Sequence, residues 1–249
     1  MATIEAIGLS KRYGARNALD GLTFAADAGD VIGLLGPNGA GKTTTIRLLT
    51  TILEPTGGTF TVAGVPGDQP HRIRQRIGVL PESAGYPLRQ TGAEYLRYTA
   101  RLFGRNRRDA RAAAERLLAD VGLADRAGTR ISTYSRGMKQ RLGIARALIN
   151  DPAVVFLDEP ALGLDPAGQR EILATIGDIA GRRGATVVLS THTLTEVEQV
   201  CGSVLILDHG VLRAAGPIDD VLTADALSAC FGVPIEVTYA DGRWTARAR

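Results

Sequence analysis

Short, continuous apolar runs recur along the chain and alternate with longer stretches of helical spacing. The apolar runs lie at residues 31–35, 153–157, 186–190 and 204–207. Such runs are typical of strands that are buried on both faces of a sheet. The stretches with helical spacing lie at residues 43–51, 167–182 and 194–201. This alternation predicts an α/β fold with a mostly parallel sheet and helices on both of its faces.

Two regions depart from this alternation. Residues 1–30 set apolar side chains such as Ile4, Leu9 and Phe24 among polar residues and glycines. This pattern favours an antiparallel β flank at the N-terminus. Residues 88–147 are rich in alanine, arginine and leucine at helical spacing, which indicates an inserted α-helical subdomain.

The tail of the chain carries a third pattern. Beyond residue 225, a short apolar alternation precedes a turn pair at residues 241–242, which predicts a small appended hairpin. A chain of 249 residues with 45% hydrophobic side chains can bury one substantial core, so we expect a single domain. Its predicted parts are a core at residues 1–87 and 148–224, the helical subdomain at residues 88–147 and an extension at residues 225–249.

Charge and cysteine content limit the class of protein. The net charge of +3 is too small by itself to indicate a nucleic-acid-binding protein, and it does not decide the partner. We expect no nucleic-acid partner. Cys201 and Cys230 lack the spacing of a disulfide framework or a zinc site, which favours a reducing, cytoplasmic setting. The sequence shows neither the apolar core of a signal peptide nor the roughly 18 apolar residues of a membrane-spanning helix. At a membrane, another chain would have to cross it.

A glycine-rich motif follows the first apolar run. Residues 36–43 read GPNGAGKT, which matches the phosphate-loop pattern G-x-x-x-x-G-K-[ST] between a strand and a helix. Glycines let successive N–H groups turn toward an anion, and the helix N-terminus adds partial positive charge. Lys42 is expected to reach the β- and γ-phosphates, and Thr43 to offer its hydroxyl to Mg²⁺. The predicted nucleotide-binding residues here are Gly36, Pro37, Asn38, Gly39, Ala40, Gly41, Lys42, Thr43 and Thr44.

Two adjacent acids end the apolar run at residues 153–157. Asp158 and Glu159 follow it directly, and ligands of parallel sheets bind at the carboxyl ends of the strands. We therefore expect Asp158 to hold Mg²⁺, directly or through water, and Glu159 to polarise the attacking water as general base. With the phosphate loop, these acids predict an enzyme that hydrolyses ATP with Mg²⁺. A degenerate loop that binds nucleotide without hydrolysis is the alternative.

Taken together, these motifs resemble those of the ATP-binding subunits of ABC transporters. Residues 134–141, YSRGMKQR, are similar to the family signature L-S-G-G-Q at the start of a helix. The resemblance implies that Ser135 and Gly137 contact the γ-phosphate of ATP held by an opposite subunit. It also implies that Asp165, in the segment GLDP, belongs to the loop that crosses the dimer interface.

The resemblance assigns two further residues. His192 is similar to the switch histidine that contacts the γ-phosphate, and it completes the predicted catalytic set with Lys42 and Glu159. Tyr13 is similar to the aromatic residue that stacks on adenine, with simple packing as the alternative. The resemblance covers about residues 2–220.

Some positions depart from the family pattern. Glu82 stands where the family usually has glutamine. A carboxylate can still ligate Mg²⁺, so Glu82 joins Thr43 and Asp158 as a predicted metal ligand, although it adds negative charge near the γ-phosphate. Arg136 replaces the first glycine of the signature, and Tyr134 replaces its leucine.

The family resemblance also implies partners. We expect a P-loop NTPase that dimerises, with its own copy or with a related ATPase subunit, beneath an integral membrane permease at the cytoplasmic face of the cell membrane. The signature and the Leu-Pro-Glu at residues 80–82 are similar to those of bacterial ABC-2 type exporters. Residues 231–237 instead resemble tails of siderophore, haem or cobalamin importer subunits. A soluble ABC ATPase without a role in transport is the third alternative.

Overall fold

Strands and helices alternate along most of the chain, for which the computed structural model describes residues 2–240 and 243–248. Among these residues the strands are β1 (Ala2–Tyr13), β2 (Arg16–Asp27), β3 (Val31–Leu35), β4 (Gly57–Val62), β5 (Val65–Pro66), β6 (Ile77–Leu80), β7 (Val154–Asp158), β8 (Thr186–Thr191), β9 (Ser203–Asp208), β10 (Val211–Pro217), β11 (Ile235–Ala240) and β12 (Arg243–Ala248). The helices are α1 (Lys42–Leu49), α2 (Pro70–Arg74), α3 (Gly92–Leu102), α4 (Arg107–Asp120), α5 (Arg136–Ala147), α6 (Pro166–Arg183), α7 (Leu194–Val200), α8 (Ile218–Val221) and α9 (Ala224–Phe231). Within the described ranges, no helix combines the length and the apolar character that crossing a membrane requires.

A six-stranded sheet forms the centre of the fold, with the order β10-β9-β3-β8-β7-β6. Its neighbours are parallel except β10, which runs antiparallel to β9. Leu35 of β3 pairs with Thr191 of β8, and Asp158 of β7 pairs with Ser190 of β8. Three parallel strands therefore end at one edge of the sheet, and the predicted mostly parallel sheet is confirmed.

Each face of the central sheet packs against its own apolar core. Because side chains alternate along a strand, Val155 and Leu157 face a first core, and Val154 and Phe156 face a second core on the opposite side of the sheet. The second core also contains α1 and side chains of a four-stranded antiparallel sheet of order β2-β1-β4-β5. This sheet is the predicted N-terminal flank, and it covers the helix that follows the phosphate loop.

Helices α3 to α5 extend the first core. Helix α3 begins with a capping box, in which the Thr91 side chain accepts from the Glu94 N–H and the Glu94 carboxylate accepts from the Thr91 N–H. Helix α4 buries a stripe that includes Ala113 and Leu117. The inserted helices predicted from the alanine- and leucine-rich region are therefore present, and α5 carries the signature-like segment at its start.

The tail differs from the sequence prediction at its beginning. Helix α9 precedes the hairpin, because Thr223 caps it and Leu227 and Cys230, three residues apart, are buried in the first core. Strands β11 and β12 then pair antiparallel as predicted. The turn predicted at residues 241–242 lies outside the described residues. The backbone N–H of Trp244 on β12 donates to the Glu198 carboxylate on α7, so the hairpin contacts that helix.

Strand β6 packs very closely on α5 at Gly78. An ideal Cβ at Gly78 would lie 2.1 Å from the carbonyl oxygen of Ala147 and 2.8 Å from its carbonyl carbon. An added methyl group would therefore have to displace backbone atoms. We expect Gly78→Ala to lower the free energy of unfolding by about 1–3 kcal/mol, measured by urea unfolding.

Gly177 provides the matched control for this substitution. It is exposed within α6, and an ideal Cβ there would meet nothing within 4 Å. Since alanine is the better helix former, Gly177→Ala should raise the free energy of unfolding by about 0.5–1 kcal/mol. An equal loss of stability in both variants would contradict the close packing at Gly78.

Candidate nucleotide-binding site

The phosphate loop joins the end of β3 to the start of α1. Gly41 caps α1 with a left-handed φ of 106°, and an ideal Cβ there would lie 2.9 Å from the carbonyl oxygen of Ala18. An ideal Cβ at Gly36 would lie 2.2 Å from the carbonyl oxygen of Leu207 on β9. Glycine is therefore required at both positions. The first turn of α1 contains no acidic residue, so its N–H groups retain their positive potential.

Lys42 is held over the loop that precedes it. Its side chain is 6% exposed, and Nζ donates to the carbonyl oxygens of Gly36 at 2.7 Å and Pro37 at 3.2 Å. Nζ also lies 3.5 Å from Oε1 of Glu159. A buried cation is thus tied both to the phosphate loop and to the acid at the end of β7.

Asp158 is 3% exposed and lies directly beside the phosphate loop. Its Oδ1 accepts from the hydroxyl of Thr43 at 3.1 Å and from the hydroxyl of Ser190 at 2.5 Å. Carboxylate and hydroxyl oxygens are ligands that Mg²⁺ prefers. At phosphate sites Mg²⁺ commonly binds one or two carboxylates, and phosphates and water are its other ligands. The donor set of Thr43 and Asp158 therefore fits Mg²⁺.

Glu159 adopts a conformation that residues other than glycine rarely adopt. Its φ is +50°, and such residues persist where the surroundings fix them. Here the Glu159 N–H donates to Oγ of Ser190 at 3.0 Å and to its carbonyl oxygen at 3.2 Å. Ser190 thereby fixes both acids, since the same hydroxyl donates to Asp158.

His192 completes a chain of three ionisable side chains. Its Nδ1 lies 3.0 Å from Oε2 of Glu159, whose other oxygen faces Lys42. The His192 side chain is 44% exposed, and its Nε2 has no protein partner among the residues that the structure describes. One nitrogen is thus directed to the acid and the other is left for a ligand.

These groups surround a cavity of about 480 Å³. The predicted residues that line it are Asn38, Gly39, Gly41, Lys42, Thr43, Thr44, Glu82, Glu159 and His192. Three further residues line the cavity and were not predicted from the sequence: Arg16, Ala18 and Leu162. Arg16 lies at the start of β2, and its Nη2 is 3.9 Å from an ideal Cβ at Gly39. Its proximity to the loop follows from sheet packing, and no motif signals it.

Eight predicted site residues do not line that cavity. Gly36, Pro37, Ala40 and Asp158 belong to the phosphate loop or to the strand end beside it, and the other four lie elsewhere in this chain. Ser135 caps α5, where its Oγ accepts from the Met138 N–H, and Gly137 follows in the first turn. Asp165 caps α6 by accepting from the Gly168 N–H. Tyr13, 48% exposed at the end of β1, has the Nζ of Lys11 5.3 Å from its ring centroid.

The departures from the signature have distinct structural settings. Tyr134 is 4% exposed, its hydroxyl donates to the carbonyl oxygen of Arg126 at 2.7 Å, and burial raises its pKa. The Arg136 guanidinium packs closely against Gly163, because an ideal Cβ at Gly163 would lie only 2.4 Å from Nη1 of Arg136. Tyr134 therefore occupies a buried position that suits an apolar side chain. Arg136, at the start of α5, contacts the loop that precedes α6.

A phosphate loop beside two strand-end acids defines a P-loop nucleotide-binding protein. The family model described as ABC transporter matches residues 19–162. The chain is 40% identical over 215 residues to the daunorubicin resistance ATP-binding protein DrrA3 of Streptomyces coeruleorubidus, a match that covers 86% of this chain and 68% of that protein. It is 40% identical over 216 residues to the Nod factor export ATP-binding protein I of Paraburkholderia xenovorans, covering 86% and 71%.

Solved structures agree with these sequence matches. A structure described as the ATP binding subunit of an ABC transporter superposes with a TM-score of 0.78 at 33% identity, covering 93% of this chain and 94% of that one. The chain belongs to the ABC transporter family. It is an ATP-binding subunit that hydrolyses ATP, dimerises and powers a transmembrane permease, as subunits of this family do.

Proposed function

We propose that this chain drives an ABC-2 type exporter from the cytoplasmic face of the cell membrane. Two relatives that share 40% of their aligned residues with it are named for daunorubicin resistance and Nod factor export. The signature form YSRGMKQR and Leu-Pro-Glu at residues 80–82 agree with that class. The exported substrate would be selected by the permease, since no site for a second substrate is needed in the ATPase subunit.

The contact of Glu159 with both Lys42 and His192 carries the proposed mechanism. Glu159 accepts a proton from the water that attacks the γ-phosphorus, and the bond to the β-phosphate oxygen breaks as ADP leaves. Lys42 neutralises charge on the β- and γ-phosphates. Since a carboxylate only accepts hydrogen bonds, Nδ1 of His192 donates, and the ring must be doubly protonated to donate from Nε2 to a phosphate oxygen as well.

Thr43, Asp158 and Glu82 are the residues that would hold Mg²⁺. When bound, Mg²⁺ supplies positive charge that offsets the charge of the phosphate oxygens. The contact of Thr43 with Asp158 and the position of Glu82 in the cavity wall support this assignment. Around the nucleotide, the backbone of residues 36–44 would hold the phosphates, and Tyr13 would stack on adenine.

A closed dimer would supply the remaining groups. Ser135 and Gly137 at the start of α5 are outside the cavity of their own chain, yet their helix N-terminus suits a phosphate. We infer that they contact the γ-phosphate held by the opposite subunit, with Asp165 at the dimer interface. The opposite subunit is a second copy of this chain or a related ATPase subunit.

Glu159→Gln tests the general base. Because the amide cannot accept the proton, we expect phosphate release to fall to background, while ATP binding persists and an ATP-bound dimer accumulates. Phosphate release and size-exclusion chromatography with ATP measure the two effects. Glu171→Gln, on the exposed face of α6, should retain activity. Normal hydrolysis by Glu159→Gln would remove Glu159 from its proposed role.

Mixing two inactive variants tests whether Ser135 acts in the opposite subunit. Ser135→Ala and Lys42→Ala should each lose hydrolysis alone. In a mixed dimer, the intact phosphate loop of one chain faces the intact signature of the other. With free exchange of subunits and independent sites, an equal mixture should recover about a quarter of the wild-type rate per chain. No recovery in dimers shown to be mixed would contradict action across the interface.

The exporter assignment can be tested by identifying the membrane protein that co-purifies with this chain. Tagged Glu159→Gln protein, purified with ATP from detergent-solubilised membranes, should bring with it a permease that mass spectrometry identifies. An ABC-2 type permease would support the proposal. An importer permease, or recovery with DNA, ribosomes or no partner, would contradict it.

A further inference from the structure

Charge is divided unevenly between the helical subdomain and the rest of the chain. Residues 88–147 contain 13 arginines and one lysine but five acidic residues, which gives them a formal charge of +9. Because the whole chain has a formal charge of +3, the remaining residues together carry −6. Charge of one sign on one lobe steers that lobe toward a partner of the opposite sign. The helical subdomain is therefore the part of the chain that an anionic partner would contact.

The positive charge is most concentrated where α3 meets α4. We call residues 98–108 the helical tip, which consists of the end of α3, the connection and the start of α4. Its charged residues are Arg101, Arg105, Arg107 and Arg108, and its sequence contains no acidic residue. The helical tip thus carries four positive charges that no acid within it offsets.

The described part of the chain leaves three of these arginines without a partner. Arg101, Arg107 and Arg108 are exposed, and they make neither an ion pair nor a side-chain hydrogen bond with any residue that the structure describes. Arg105 differs, since its Nη2 lies 2.7 Å from Oδ2 of Asp151. An arginine guanidinium can bind a phosphate through two parallel hydrogen bonds. The three exposed guanidinium groups are therefore available to phosphate groups outside the chain.

Large apolar side chains lie among these arginines. Tyr98, Leu102 and Phe103 are 57%, 68% and 41% exposed. Tyr98 and Leu102 lie on one face of α3, since they are four residues apart. At the surface of a lipid bilayer, apolar side chains enter the boundary between headgroups and acyl chains, while basic side chains reach the headgroups. The helical tip combines both kinds of side chain within one short segment.

Backbone hydrogen bonds fix the connection that presents these side chains. The N–H of Gly104 donates to the carbonyl oxygen of Arg101 at 3.0 Å, and the N–H of Arg105 donates to that of Ala100 at 3.2 Å. Ala100 is 0% exposed in the first core, so the inward side of α3 is already filled. The apolar side chains are therefore exposed by the packing of the helices, and an ordered backbone holds them there.

We propose that the helical tip binds the headgroup layer of an anionic lipid bilayer. Arg101, Arg107 and Arg108 contact lipid phosphates, and Leu102 and Phe103 enter the boundary with the acyl chains. An acidic protein segment would pair with the arginines, but its charge alone gives the exposed apolar side chains no partner. This inference rests on the proposed function, which places the chain at a membrane.

Sedimentation with lipid vesicles tests this surface on the purified full chain without a permease. We expect binding to vesicles of equal parts phosphatidylcholine and phosphatidylglycerol, weaker binding as salt is raised, and little binding to phosphatidylcholine alone. Each arginine near an anionic surface contributes roughly fivefold to the affinity. Replacing Arg101, Arg107 and Arg108 together by glutamine should therefore lower the affinity at least about tenfold. A wild-type chain that does not bind the mixed vesicles, even one that binds soluble polyglutamate, would overturn the proposal.

A matched triple variant separates the helical tip from net charge. Arg72, Arg170 and Arg182 are exposed arginines outside the helical subdomain. Replacing these three by glutamine removes the same charge, but it should change the affinity by less than about threefold, because salt screens charges that do not contact the vesicle. Both triple variants should unfold at the same urea concentration as the wild-type chain. Equal losses of affinity in the two would overturn the assignment to the helical tip.

The inference and the proposed function can fail separately. A chain that binds the mixed vesicles but co-purifies with no permease would contradict the proposed function and leave the lipid contact in place. A chain that co-purifies with an ABC-2 type permease but does not bind the vesicles would contradict the lipid contact alone.

Fluorescence tests whether the helical tip enters the bilayer. The chain has one tryptophan, Trp244, so Leu102→Trp in a Trp244→Phe background reports on the helical tip alone. Mixed vesicles should shift its emission to shorter wavelength, because the indole ring leaves water. Ile52→Trp in the same background is the control, since Ile52 is 62% exposed outside the helical subdomain, and its emission should not shift. Unshifted emission from vesicle-bound Leu102→Trp protein would overturn the proposal.

Discussion

The register of three adjacent parallel strands determines the whole site. Pairing of β8 with β3 and β7 aligns Leu35 with Thr191 and Asp158 with Ser190. The phosphate loop, the two acids and the histidine turn consequently leave the sheet at one edge. A shift by one residue would reverse the direction of each side chain on the shifted strand, so the buried alternation that fills both cores also fixes the chemistry.

Ser190 shows how a buried polar group stabilises an unfavourable conformation. Its hydroxyl donates to Asp158 and its oxygen accepts from the Glu159 N–H, so one side chain satisfies both acids. The left-handed backbone of Glu159 costs on the order of 1–3 kcal/mol. These bonds, with the contacts to Lys42 and His192, offset that cost. Contacts within the chain therefore orient the acid.

The sequence allowed the parallel sheet, its antiparallel flank and the phosphate loop to be predicted, because each depends on a continuous stretch of residues. Arg16 and Ser190 could not be assigned in this way, since their contacts join segments that lie far apart in the chain. Helix α9 was missed because its pattern is short and its burial depends on the first core. The roles inferred for Ser135 and Asp165 stay predictions, because a second subunit would complete them.

Two departures from the family pattern meet in one place. Glu82 and Arg136 both line a cavity of about 370 Å³ between the end of β6 and the start of α5, and Glu159 lies in its wall. The carboxylate that replaces glutamine adds negative charge there, and the guanidinium that replaces glycine adds positive charge. Side chains of both signs therefore line the space between the start of α5 and the acids of the core. The same guanidinium packs against Gly163, so the side chain of Arg136 also contacts the loop between Glu159 and α6.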